Sequence, residues 1–420
     1  MLCVCIKAHH ITNFVRNVNT QKIMKNTLIL LFLISTFYSF SQNSAIKPYS
    51  DYLKKIEKKS AKDYILQKFK NHDIVILCER DHSEFSQYEL IKDVLSDAYF
   101  KNNVGNLFTE IGVLNLQPEI TEFLKTKNLD SAFVEKKLNT FQQNATFWFI
   151  WERYNYHYLL RTIYDINNVS QNQISYFPSD VEFDWKTVQT VEEYTREQDF
   201  EIEPRDSLLA YNIINQYKKL SSKNNKKALI ILNYRHAFKI HTTSNNGELV
   251  KNAGKYLADY FGNRAVSILS NRPIFVKKEN RYVYELIHDG KWDAAFKEQD
   301  IENIGFDFDN SVFGNDDFDL ISAKNNAKYK DVFDGFVFYK SIENQHLIEF
   351  YDGLVSKDFE QEFFRRYKIQ LQYYEDSTRV KKLESKEFRE TVLKKLNTTR
   401  KRKYPNFEHL IERRDTYLND

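Results

Sequence analysis

The sequence predicts an α/β fold: a mainly parallel sheet flanked by helices, with a short antiparallel edge and a helical C-terminal extension. Three observations point there. Short apolar runs rich in β-branched residues, such as Ile74, Val75, Ile76 and Leu77, are continuous rather than alternating, which is the pattern of strands buried on both faces. Stretches with apolar residues at helical spacing separate these runs, and parallel pairing needs crossovers of that kind. Titratable residues stand at the end of run after run. In a parallel sheet those ends share one edge, the edge at which open α/β folds bind ligands.

In chain order, residues 1–23 precede a start that is already complete at Met24 and are read as a spurious or disordered extension. Residues 24–41 read as a signal peptide: Met24 and Lys25 begin a basic segment, "NTLILLFLISTFYSF" is an apolar core, and Ser39 and Ser41 are small residues suited to cleavage before Gln42. The apolar run falls short of the roughly 20 residues that span a bilayer, so export without a stable membrane span is expected. Removal of Cys3 and Cys5 leaves Cys78 as the only cysteine, and no intramolecular disulfide is expected.

Residues 42–340 form the predicted α/β domain. Helical spacing covers 49–70, a strand follows at 74–78, a helix at 86–100 and a second strand at 104–110. Helical segments run from about 115 to 168, a third strand covers 173–180, a helix 205–221, the most apolar strand 226–236, a helix 249–262 and another strand 264–270. The shorter runs "PIFVKK", "RYVYELI" and "DGFVFYK" are expected to add the antiparallel edge. Residues 341–420 read as a charged helical extension.

Composition narrows the function classes. The chain has 61 basic and 58 acidic residues, so no global field recruits nucleic acid, and no GxGxxG or GxxxxGK[ST] loop is present to cradle a nucleotide. A small-molecule substrate is the expected partner. The strand ends supply the candidate site: Glu79 and His82 after the first, Glu110 after the second, Asp180 after the third, and Asn233, Arg235 and His236 after the fourth. Glu79 or Glu110 could orient His82, which would then take a proton from water attacking an ester or lactone. His236 or Arg235 could hold the developing oxyanion, with Asp180 and Asn233 contacting substrate. No G-x-S-x-G elbow supplies a serine nucleophile. No cofactor is required by this set, although Glu79, His82, Glu110 and His236 could instead ligate a divalent metal that activates water. The aromatic-dense stretch 145–160 serves as helix core, or as the wall of a pocket for a hydrophobic ligand or haem.

These residues carry a resemblance. "CERDH" at 78–82 resembles the Gly-Glu-x-x-His element of the erythromycin esterase-like superfamily, which also includes haem-binding uptake lipoproteins of iron-regulated operons. Glu110, "RDSLLAYNI" at 205–213, "ALIILNYRHAF" and "NAGKYLADYFG" at 252–262 follow in the order that family shows, so the similarity spans roughly 65–340. Three positions depart from it: Cys78 replaces the usual Gly, Asn233 the first His of a His-x-x-His pair, and Ser86 a position where esterases often have Glu. The resemblance implies an ester or lactone hydrolase, a haem or hydrophobic-ligand binding protein on the same fold, or a non-catalytic member that only binds a partner.

Overall fold

The computed structural model describes residues 45–146, 153–199, 204–220, 226–243, 247–278, 281–320 and 327–419. The signal-like stretch 24–41 and the preceding residues lie outside this set. Seven strands form the central sheet: β1 (Ile74–Glu79), β2 (Asn106–Val113), β3 (Ser175–Asp180), β4 (Ala228–Asn233), β5 (Ala265–Ser270), β8 (Asn303–Asp307) and β9 (Gly335–Tyr339). Two more strands, β6 (Pro273–Lys278) and β7 (Arg281–Leu286), pair only with each other as an antiparallel hairpin. The sheet order is β8-β9-β5-β1-β4-β2-β3, parallel throughout except for the β8–β9 pair at one edge.

The central strands explain why the sheet forms. Ile74, Ile76 and Cys78 face one helical layer, where Trp292 and Phe296 pack, and Val75 and Leu77 face the other, with Tyr88 and Ile91. Fully burying each aliphatic side chain contributes about 1.5–3 kcal/mol. An unpaired buried ion costs several kcal/mol, so such strands tolerate a carboxylate at their ends only where a partner neutralises it.

Three local differences from the sequence reading have physical causes. The helix expected over 49–70 is two helices, 45–55 and Ala61–Lys68, because Ser60 caps the second by accepting from the Asp63 amide at 3.1 Å while the backbone of Lys59 bonds Gly305 and covers the outer edge of β8. The expected helical stretch at 115–168 is broken into Gln117–Lys125, Ser131–Asn144, which Asp130 caps, and Arg153–Val169. The antiparallel edge strand is β8, which the sequence reading leaves unassigned, and "DGFVFYK" forms β9, parallel to β5. "PIFVKK" and "RYVYELI" become the separate β6–β7 hairpin beside the carboxyl edge of the sheet.

The charged segment after 341 packs against the domain. Arg366 on the helix Glu360–Tyr373 is buried, pairs with Glu362 at 2.6 Å and donates to the Gln143 carbonyl at 2.7 Å. Arg414 on the helix Phe407–Asp415 is buried and pairs with Glu343 at 2.6 Å. Among the described residues, no helix is long and apolar enough to cross a membrane.

Candidate functional site

Four adjacent strands, β1, β4, β2 and β3, end along one stretch of the carboxyl edge, with Glu79 of β1 in register with Asn233 of β4. Beyond them lies a cleft of about 300 Å³. His82, Glu110, Asn233, Arg235 and His236 all line it. Glu79 and Asp180 do not; both are buried behind residues that do.

Glu79 fixes His82. One carboxylate oxygen faces His82 Nδ1 at 2.8 Å and the other accepts from the Tyr88 hydroxyl at 2.6 Å. The backbone carbonyls of His82 and Glu84 both accept from the Asn155 amide, which pins the loop carrying the ring. Asn233 then settles the tautomer. Its Oδ1 accepts from the Arg235 amide at 3.4 Å and its Nδ2 donates to the Arg80 carbonyl at 3.1 Å, so the side-chain amide has one admissible orientation. That Nδ2 also faces His82 Nε2 at 3.4 Å. A donor there requires the lone pair on Nε2 and the proton on Nδ1, directed at Glu79.

Glu110 sits where β2 is irregular. The register with β3 shifts between Thr109 and Val113, and Gly112 adopts φ +102°. A Cβ on Gly112 would lie 2.6 Å from Pro178 Cβ, so glycine alone fits this turn of the strand. The buried Glu110 carboxylate accepts from the Asn233 amide at 2.8 Å and lies 3.3 Å from His236 Nε2 and 3.4 Å from Arg205 Nη2. Burial opposes its charge, but His236, Arg205 and His82 outweigh that and hold its pKa down at about 2.

His236 has a carboxylate at each ring nitrogen: Glu110 at Nε2, and Asp206 Oδ1 at 2.7 Å from Nδ1. Burial disfavours the imidazolium, yet Glu110 and Asp206 prevail and raise its pKa above the ordinary histidine value. Nδ1 is hydrogen-bonded to Asp206 and Nε2 is in ion-pair contact with Glu110, an arrangement that favours the imidazolium. Asp206 also accepts from the Ala253 amide at 2.9 Å, tying together the first turns of the helices Arg205–Lys219 and Ala253–Phe261. Gly254 permits this approach, since a Cβ there would lie 2.5 Å from the Ala237 carbonyl carbon.

Asp180 receives Arg205 in bidentate fashion, Nε to Oδ1 and Nη2 to Oδ2, both at 2.8 Å. Its place is behind Arg205, which itself lines the cleft, so any contact of Asp180 with a ligand runs through that guanidinium. Asn233, the other expected substrate contact, lines the cleft while holding His82, Arg80 and Arg235. Arg80, from the cluster that ends β1, turns into the core and pairs with Glu84 at 3.0 Å.

Sequence reasoning did not assign Arg205, Asp206, Arg272 or Tyr284 to the site. Arg205 and Asp206 open a helix, where charges ordinarily read as caps. Arg272 precedes the β6–β7 hairpin and Tyr284 lies on it; the Tyr284 hydroxyl donates to Asp81 at 2.7 Å at the wall of the cleft. Among the described residues, no group of three or more His, Cys, Asp or Glu side chains is placed to hold a metal ion. The Glu79 and Glu110 carboxylates are turned toward their own partners, and Arg205, Arg235 and Arg272 line the same space, so this donor set does not fit a divalent cation. Residues 147–152 of the aromatic stretch considered for haem lie outside the described residues, and none of the described part of that stretch lines the cleft.

No family model matches the chain, and no curated protein matches its sequence. Solved structures do resemble it. A succinoglycan biosynthesis protein matches with a TM-score of 0.51 and 10% identity, over 71% of this chain and 97% of that one. An erythromycin esterase mutant, EreC in its open conformation, matches at 0.45 and 12% identity, over 66% and 93%. ChaN of Campylobacter jejuni, described with cofacial haem, matches at 0.33 and 12% identity, over 68% and 94%. The first match carries the conclusion: over 71% of its length this chain has the fold of that protein.

Proposed function

We propose that the cleft is the active site of a hydrolase in which His82 activates water to cleave an ester or lactone bond. One observation carries this reading: two imidazoles line one cleft, and their neighbours give them opposite roles. His82 presents an unprotonated Nε2, set by Asn233 and by Glu79. His236 lies between two carboxylates, Asp206 at Nδ1 and Glu110 at Nε2, which favour its cationic form. A base and a positive charge in one cleft are what acyl transfer to water needs.

In the proposed reaction the attacking water replaces Asn233 Nδ2 at His82 Nε2, whose lone pair takes the proton as the water oxygen bonds to the acyl carbon. The carbonyl oxygen gains the electron pair and is stabilised by the positive charge that His236 and Arg205 bring to the cleft. Collapse of the tetrahedral species breaks the bond to the alkoxy oxygen, which takes the proton from His82, leaving an acid and an alcohol. Glu79 holds the ring through Nδ1, as a carboxylate does in triads of this logic.

The test is turnover of a panel of aryl esters and lactones by purified protein and by His82→Asn, which keeps a polar group of similar size. The expected result is hydrolysis by the native chain and a loss of about 10²- to 10⁴-fold in the variant. Absence of turnover across the panel, or equal rates in the two proteins, contradicts the reading. Export belongs to the same proposal and rests on residues 24–41; N-terminal sequencing of secreted protein should begin near Gln42, and a mature chain that retains residues 1–41 overturns it.

A further inference from the structure

Four arginines are buried among the described residues: Arg80, Arg272, Arg366 and Arg414. Three have carboxylate partners, Glu84, Glu362 and Glu343 respectively. Arg272 has none among the described residues, and it is the one of the four that lines the cleft. Its guanidinium is rigidly held: the carbon lies 3.6 Å from the centroid of the Tyr234 ring, Nη1 donates to the Glu79 carbonyl at 3.0 Å and Nε to the Pro273 carbonyl at 3.2 Å. Nη2 has no protein partner among the described residues.

A second guanidinium stands on the same tyrosine. Arg235 Nε donates to the Tyr234 hydroxyl at 2.9 Å, and Arg235 too lacks a carboxylate among the described residues and lines the cleft. Tyr234 is thus a platform with one arginine on its face and another at its hydroxyl. Two carboxylates line the cleft: Glu110 faces Arg205 and His236, and Asp81 accepts from the Tyr284 hydroxyl, so neither is in ion-pair contact with Arg235 or Arg272. Two guanidinium groups on one tyrosine with no carboxylate in ion-pair contact among the described residues are unfavourable, and fixed donors of planar geometry suit a carboxylate or phosphate group.

We propose that Arg235 and Arg272 form an anion subsite, and that the substrate is an ester carrying a carboxylate or phosphate group which docks there. This rests on the hydrolytic reading of the cleft and adds its substrate class. The anchor of Arg272 is the backbone carbonyl of Glu79, the residue that orients His82, so the charged group is held beside the base. The Phe275 and Tyr284 side chains of the β6–β7 hairpin, with ring centroids 5.1 Å apart, supply an aromatic wall for the uncharged part.

Two measurements on the full chain test this. Calorimetry with inorganic phosphate and, separately, with acetate reads the anion site without turnover. Kinetics with matched aryl esters, one neutral and one bearing a carboxylate or phosphate, reads its use. The expected result is binding of at least one anion that Arg235→Gln and Arg272→Gln weaken, and a fall in kcat/KM for the anionic ester about tenfold to a hundredfold larger than for the neutral one. Which anion binds identifies the charged group. Arg235 is exposed, so Arg235→Gln decides the matter should Arg272→Gln fail to fold. Anion binding that both variants lose, without ester turnover, leaves the subsite standing and removes the hydrolase reading. Turnover with no anion binding and no preference between the esters overturns the subsite and leaves the hydrolase reading intact.

Discussion

The two histidines of the cleft each lean on a carboxylate, but their halves of the site are built from different interactions. The β1 half is a chain of hydrogen bonds, Tyr88 to Glu79 to His82 and Asn233 to His82, with the charge on one group. The β2–β3 half is a network of ions, in which Asp180 and Glu110 hold Arg205 while Glu110 and Asp206 hold His236. One half fixes a lone pair and the other fixes a positive charge. The carboxylate is common to both; what sets the outcome is whether the second nitrogen meets an amide donor, as in His82, or another carboxylate, as in His236.

Breaking each half separately sharpens the difference. The largest effect on stability is expected in the ionic half: Asp180→Asn leaves the largely buried Arg205 without its bidentate partner, and chemical denaturation should show a loss of about 3–5 kcal/mol. Next comes the backbone that delivers Glu110. Gly112→Ala imposes a side chain on a left-handed residue against Pro178 and should cost on the order of 1–3 kcal/mol or more, with β2 shifted and Glu110 displaced. The hydrogen-bonded half should lose less than the roughly 3–5 kcal/mol of the ionic half: Tyr88→Phe removes one bond to the Glu79 carboxylate and should cost about 1.5–3 kcal/mol. Equal losses from Asp180→Asn and Tyr88→Phe would show that the two halves are not built differently.

The smallest effect is in the pH dependence of stability, and its sign differs for the two groups. Glu110 is depressed from 4.5 to about 2, so its contribution is present above pH 4.5 and is lost as pH falls toward 2. His236 is raised above 6.5, so its contribution is full below pH 6.5 and is lost as pH rises through the raised value. The stability that native protein gains over a Glu110→Gln, His236→Gln double variant should therefore be greatest between pH 4.5 and 6.5. Denaturation midpoints that differ by a constant amount from pH 2 to 9 would contradict this.

The two halves were also unequally legible in the sequence. Glu79, His82, Asn233 and His236 stand next to β1 and β4, whose continuous apolar runs announce buried strands, so their arrival at one edge follows from the pattern itself. Glu110 was legible as a strand-end acid, but its bulge was not, because a single Gly112 in a strand carries no mark of its φ angle. Arg205 and Asp206 were hidden by their position: an acidic residue in a first helical turn has an ordinary explanation in the helix dipole. Strand β8 has only Ile304, Gly305 and Phe306 between Asn303 and Asp307, too few apolar positions for the pattern to register. Arg272 and Tyr284 depend on where the β6–β7 hairpin lands, which hydropathy does not encode. The buried Arg366 and Arg414 look like solvated surface in composition, since only pairing with distant or neighbouring carboxylates lets them enter the interior.

The central claim is that one cleft holds a lone pair at His82 and a fixed charge at His236. NMR titration of the imidazole nitrogens, assigned through His82→Asn and His236→Gln, measures both directly. Neutral His82 is expected to carry its proton on Nδ1, and His236 to remain protonated at both nitrogens at pH values above the ordinary histidine midpoint of 6.5. A His82 ring protonated on Nε2, or a His236 ring that loses its proton below pH 6.5, would contradict it.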